Sequence, residues 1–235
     1  MGTRLHLNSA PWPRMPVGAA GEWAGFFDGG TELEAANWPP LLWWALFGAG
    51  DLAEARIADT EDAGTEEHAE LLDAWGDATY PYLVVDGETA LARLCARREG
   101  LTGRIGERFS PLYEEFAEFV GARFGPYVLL RTEALAGDGD GVRALFEETL
   151  ADLERLDAGE LPLPGGRLES LVADFRRWRH LDPVLLLTGT GRGWPPAGLR
   201  ERLAAADRRP SGGGAGRSAA VGRVWGALVR RRRDG

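Results

Sequence analysis

Lysine is absent from this 235-residue chain, and so is glutamine, so all 27 basic side chains are arginine. Without lysine there is no phosphate-gripping P-loop lysine, no Schiff base, and no Ser-Lys or Lys-Glu catalytic pair. The same bias, with heavy use of alanine, glycine and proline, is what a G+C-rich genome writes. Arginine and glycine counts therefore carry little functional weight. A single cysteine, Cys95, excludes an internal disulfide and suits a reducing interior. Long apolar runs are missing too. The longest uncharged stretch lies between Glu34 and Asp51 and contains two prolines, short of the ~20 apolar residues a spanning helix needs. The opening residues lack a signal-peptide core. These features point to a cytoplasmic protein that does not span a membrane.

What is present is ordinary for a globular domain: 44% hydrophobic and 27% charged residues. The length suits one large domain or two small ones. The net charge of −9 is uneven, with −15 over residues 1–150 and +6 over residues 151–235. An acidic body is a poor phosphate binder, so nucleic acid is not expected to bind through it.

Alternation over Thr3–Asn8 predicts a strand, and the apolar runs Tyr80–Val85, Pro126–Arg131 and Pro183–Leu187 predict three more. A Gly/Pro-rich stretch follows the first strand to about Gly30. Trp38–Gly48, proline-led and apolar nearly all round, reads as a buried helix. Further helices are expected over residues 65–77, from Asp86 to about Arg98, Ser110–Phe124, Val142–Leu156, Leu168–Trp178 and Pro196–Ala206. Interspersed strands and helices favour a mixed α/β sandwich of the α+β class over residues 1–206. Residues 207–218 read as a Gly-rich linker and 219–235 as a basic amphipathic tail.

Taken in order, the segments Leu5–Asn8, Trp38–Gly48, Leu83–Leu94, Tyr127–Glu133, Leu153–Asp157 and Phe175–Leu187 resemble an uncharacterised family of bacterial cytoplasmic domains. The family's Gly-Asp pair is reversed here, as Asp86-Gly87. The resemblance covers most of residues 1–190 and implies no catalytic residue. It implies a domain of unknown function, of a general kind in which some small acidic members neutralise toxins.

The sharpest local pattern is on the helix over residues 65–77. Glu66, Glu70, Asp73 and Asp77 fall at steps of 4, 3 and 4, one narrow stripe, with no basic residue one turn away. His68, Leu71, Leu72 and Trp75 form the opposite face, expected to pack on the core. Like charges at this spacing cost roughly 0.2–0.5 kcal/mol per pair, and acids near a helix C-terminus are disfavoured. The stripe is either a solvated acidic face or a surface kept for a basic protein partner.

Other motifs are incomplete. Asp138-Gly139-Asp140-Gly141 starts like a calcium loop, but Val142 and Thr149 replace needed ligands. Gly189-Thr190-Gly191-Arg192-Gly193 lacks the third glycine and helix start of a dinucleotide fingerprint. No Gly-x-Ser-x-Gly occurs, and His6, His68 and His180 are scattered. No metal site or cofactor is expected, and Cys95 reads as a buried, inert thiol. Trp38, Trp43 and Trp44 read as core; Trp12 and Trp23 are candidates to line a groove. In the tail, Val221, Val224, Trp225, Leu228 and Val229 make one apolar stripe, followed by Arg230, Arg231, Arg232 and Arg233. That pattern suits a membrane-surface helix or an anionic partner. Docking on the acidic body, or no stable helix because of Gly222 and Gly226, are the alternatives.

The expectation is a non-enzymatic interaction module that meets a basic protein partner through its acidic surface, with toxin neutralisation as one form. An enzyme using carboxylates not singled out by any motif, and a peripheral membrane adaptor using the tail, are the alternatives. Oligomeric state is not legible.

Overall fold

The computed structural model describes residues 3–19, 21–60, 64–160 and 164–207. The linker over 207–218 (Asp207 excepted) and the tail over 219–235, including Val221, Val224, Trp225, Leu228 and Arg230–Arg233, lie outside the described residues. The compact unit ends at Leu203. Among the described residues no helix is long and apolar enough to cross a membrane.

The fold is α+β, built on one antiparallel sheet. Its strands are β1 (Arg4–Ala10), β2 (Glu32–Ala36), β3 (Leu52–Arg56), β4 (Thr79–Asp86), β5 (Tyr127–Arg131) and the two-residue β6 (Thr190–Gly191). They lie in the order β3-β4-β5-β1-β2-β6. Register places Leu83 opposite Leu130, Leu130 opposite Leu7, and Leu7 opposite Leu33. Side chains alternate across a sheet, so these four leucines, all fully buried, form one continuous row on one face. Each contributes about 1.5–3 kcal/mol by leaving water.

The helices are α1 (Glu22–Phe27), α2 (Leu41–Trp44), α3 (Glu66–Trp75), α4 (Gly87–Ala96), α5 (Arg98–Ile105), α6 (Ser110–Arg123), α7 (Gly139–Asp157), α8 (Arg167–Trp178), α9 (Pro183–Thr188) and α10 (Leu199–Asp207). α4, α7 and α9 pack against the sheet; α6 packs on α4, α8 on α7 and α9, and α2 on α9. The opposite face is covered in part by the Gly/Pro-rich segment between β1 and β2. Ala10, Tyr80, Tyr82 and Leu129 on the sheet meet Met15 and Phe26, with Trp12 and Trp23 partly buried against them. The Met15 amide donates to the Tyr82 hydroxyl at 3.2 Å.

Two expectations need correction here. Pro183–Leu187 is the helix α9, not a strand. Asp182 caps it by accepting from the Val184 amide at 3.0 Å, Pro183 opens it, and Val184 and Leu187 are buried while Leu185 is exposed. An apolar run this short fits either period. Trp38–Gly48 is helical only over Leu41–Trp44, although everything from Leu41 to Phe47 is buried.

Candidate functional site

Helix α3 forms where the acidic stripe predicts it. Thr65 caps its start, accepting from the His68 amide at 3.2 Å, and Gly76 ends it with φ +53, its N–H donating to the Leu72 carbonyl. Contrary to expectation, the apolar face does not pack on the core. No residue of α3 is buried, and Leu72 and Trp75 are 39% and 43% exposed. The topology gives the reason. α3 connects β3 to its antiparallel neighbour β4 at the edge of the sheet, so the chain returns to the end it left and need not cross the sheet face.

Glu66, Glu70 and Asp73 are exposed on the helix, and Asp77 lies just beyond it. The expectation that no base relieves the stripe holds on α3 itself but fails in space. Arg56 on β3 reaches Asp77 at 2.9 Å. Between Arg56 and Arg93 the sequence holds ten Asp and Glu and no arginine, and of these only Asp77 forms an ion pair among the described residues. The His68 imidazole turns back along the chain, its Nδ1 accepting from the Gly64 amide at 3.2 Å. Among the described residues no cluster of three His, Cys, Asp or Glu side chains suits a metal ion.

A second constellation escaped sequence reasoning. On the sheet face opposite the leucine row, strand pairing sets His6 beside Glu34 and Arg131, and Asn8 beside Glu32. Glu32 sits at the centre. Its Oε1 is 3.2 Å from His6 Nδ1, and its Oε2 accepts from Asn8 Nδ2 at 2.9 Å. Arg131 Nη1 lies 3.6 Å from the same oxygen. The approach of His6, then the Asn8 hydrogen bond and the Arg131 charge, hold the Glu32 carboxyl down at about 2 against its partial burial. The 3.2 Å separation is an ion-pair distance; His6 Nδ1 is off the line of a good hydrogen bond.

Arg131 also pairs with Glu133 and lies 5.0 Å from the Phe27 ring and 5.9 Å from the Trp23 ring, which stack on each other. Trp23, a sequence candidate for lining a groove, instead roofs this cluster. Asn8 Oδ1, Arg131 Nε, Glu133 Oε2 and Trp23 Nε1 are buried atoms without a protein partner. Chemically, this is an imidazole oriented by an ionised carboxylate, with spare donors and acceptors around it. The available signal was the alternation Arg4/His6/Asn8 against Leu5/Leu7, and Glu32/Glu34 after it.

A third feature is a groove of about 630 Å³ between the Asn37–Leu41 turn, α8 and α9, with Trp38, Leu41, Leu171, Trp178 and Leu185 among its lining residues. Trp43 and Trp44 are core, as expected, but Trp38 is 56% exposed at the groove's rim. The reason is that the chain enters α2 through Pro39-Pro40, which leaves Trp38 outside the helix.

The remaining motifs have structural roles. A Cβ at Gly189 would lie 2.6 Å from the Glu34 carbonyl oxygen, and one at Gly191 only 2.2 Å from that of Glu32. These glycines let β6 approach β2 closely, the physical content of the Gly-Thr-Gly sequence. Asp138–Gly141 spans the junction into α7. Cys95 is half-buried, and burial pushes its thiol up to about 11 against the nearby Arg98 charge. No protein-family model, no curated protein and no solved structure matches this chain.

Proposed function

We propose that the protein is a non-catalytic interaction module whose helix α3 docks on a basic protein surface. One observation carries this reading: α3 is amphipathic, yet the fold buries none of its residues. An isolated ten-residue helix is marginal in water and is ordinarily held by packing its apolar face. Here Leu72 and Trp75 are left to a partner. The combination suits an interface, since an aromatic anchor ringed by charge is the common anatomy of binding hot spots. Glu66, Glu70 and Asp73 supply steering towards an arginine- or lysine-rich surface, such as that of a nucleic-acid-cleaving toxin. Neutralising such a toxin is the concrete form this function takes.

The test uses the full chain. A partner retrieved from the source cells is identified and its affinity measured for wild type, for Glu70→Arg with Asp73→Arg, and for Trp75→Ala. We expect each variant to keep the wild-type circular dichroism and to bind at least about ten-fold more weakly. The charge-reversed variant should also lose most of the salt dependence of the association rate. A partner that binds the reversed helix as tightly as wild type removes α3 as the site.

A further inference from the structure

We propose that the groove beside Trp38 is a binding site for a small amphiphilic anion. The ligand class is an aryl or alkyl carboxylate or sulfonate, its head on Arg167 and its apolar body running along the groove from there towards Trp38 and Trp178.

Size and lining argue for a small ligand. The volume of about 630 Å³ falls within the roughly 300–1,000 Å³ of pockets that hold drug-sized molecules. Trp44 and Phe175 are buried residues of its lining. Trp38, Trp178 and Leu185 stand at its rim, exposed by 56%, 43% and 42%. Large apolar surface left in water around one concavity is unusual for a domain that buries Trp43, Trp44 and Trp194, and it marks a site to be covered.

Helix α8 explains how the sequence builds this wall. Leu168, Val172 and Phe175 point inward and are buried. Arg167, Ser170, Leu171, Asp174 and Trp178, at steps of 3, 4, 7 and 11 from the first, make a second stripe that faces the groove. The helix therefore has two apolar-containing faces, and the core uses only one.

The charges set the head group and its orientation. Arg167 stands at the first position of α8, where the positive end of the helix dipole adds to its own charge. Its ion pair with Glu148 is loose, Nε to Oε2 at 3.9 Å, and among the described residues its two Nη groups have no partner, so they are available to a bidentate anion. Asp174, seven residues on and so about 10 Å further along the helix, has no ion pair among the described residues. An anion is favoured at the Arg167 end and repelled at the Asp174 end.

The opposite rim is preset. Asn37 holds φ +70, its amide donates to the Thr3 carbonyl at 2.7 Å, and the Trp38 amide donates to Ala36 at 2.9 Å. Trp44 Nε1 donates to the Pro39 carbonyl at 3.2 Å. Two prolines follow Trp38, which limits the ordering that a ligand must induce. No residue of α3 takes part, so this inference stands apart from the docking helix.

The probe is 8-anilinonaphthalene-1-sulfonate, titrated into the full chain under native conditions and followed by its fluorescence. Saturable binding at one site is expected. Decanoate should displace it, and decyltrimethylammonium, with a chain of the same length and the opposite charge, should do so at least about ten-fold less well. Leu185→Glu changes an exposed side chain and should weaken the probe by a similar factor while the melting temperature stays put. Arg167→Glu should reverse the preference between the two displacers. Unchanged probe affinity in Leu185→Glu would show that the groove is not the site. Equal displacement by both amphiphiles, or an unaltered preference in Arg167→Glu, would overturn the assigned head group. A groove that rejects the probe but protects Trp178 within a protein complex would belong to a macromolecular partner, and the proposal would fall.

Discussion

Arg97 grips Asp157 with two prongs, Nε to Oδ1 at 2.9 Å and Nη2 to Oδ2 at 2.6 Å. Its remaining nitrogen, Nη1, donates to the Ala45 and Phe47 carbonyls at 3.2 and 2.5 Å. The arginine side chain is 1% exposed. One buried residue at the α4–α5 junction thus fastens the end of α7 to the turn after α2.

Breaking that clamp should be costly. Asp157→Ala leaves a buried guanidinium without its counter-charge; because Asp157 is itself 39% exposed, the cost is at the lower end of the roughly 3–5 kcal/mol of a fully buried pair. For a chain of this size, each kcal/mol lowers the melting temperature by roughly 2–4 °C. Calorimetry should therefore show a fall of about 10 °C. Arg97→Lys should recover little, because a single ammonium cannot reproduce the fork. A melting temperature within a degree of wild type for Asp157→Ala would mean the pair contributes nothing.

Glu32 gives the polar cluster a pH signature with a definite sign. Its folded-state carboxyl, held at about 2, lies below its ordinary value of 4.5. A depressed carboxylate contributes stability that is fully present above its unfolded value and fades as pH falls through its folded one. Chemical denaturation of wild type and Glu32→Gln should therefore differ most above pH 4.5. The gap should narrow steadily towards pH 2, by an amount moderated by the half-exposed setting of the group. A gap that stays constant across this window would show that the carboxylate gains nothing from His6, Asn8 and Arg131.

Cys95 should be sluggish towards alkylation. With its thiol raised to about 11, it carries about two orders of magnitude less thiolate at pH 8 than an ordinary cysteine. Iodoacetamide labelling of the native protein should be slower by that factor than labelling in denaturant. Equal rates would place the thiol in water, outside its half-buried setting.

Legibility followed the strength of local signals. Strands β1, β4 and β5 alternate or run apolar over enough residues to be read directly. The start of α4 is written in Asp86, whose Oδ1 accepts from the Thr89 amide at 2.8 Å. β2 (Glu-Leu-Glu-Ala-Ala) and β3 (Leu-Ala-Glu-Ala-Arg) are built from helix-favouring residues. Their extended state is imposed by pairing with β1 and β4, which one sequence does not reveal. The acidic stripe was legible because Glu66, Glu70 and Asp73 share one helix and Asp77 follows just after it. His6, Glu32 and Arg131 meet only across three strands, and Trp38 and Trp178 only after α8 has packed, so neither cluster leaves a motif behind.

The hairpin position of α3 has an evolutionary side. A helix that supports no interior can change its outward residues without disturbing the leucine row or the aromatic cover beneath Trp23. On the proposed reading, mutations there would be filtered by the partner's surface alone. This scaffold can thus acquire new recognition specificities at little risk to its own foldedness, and lineages sharing the sheet should diverge fastest between Glu66 and Trp75.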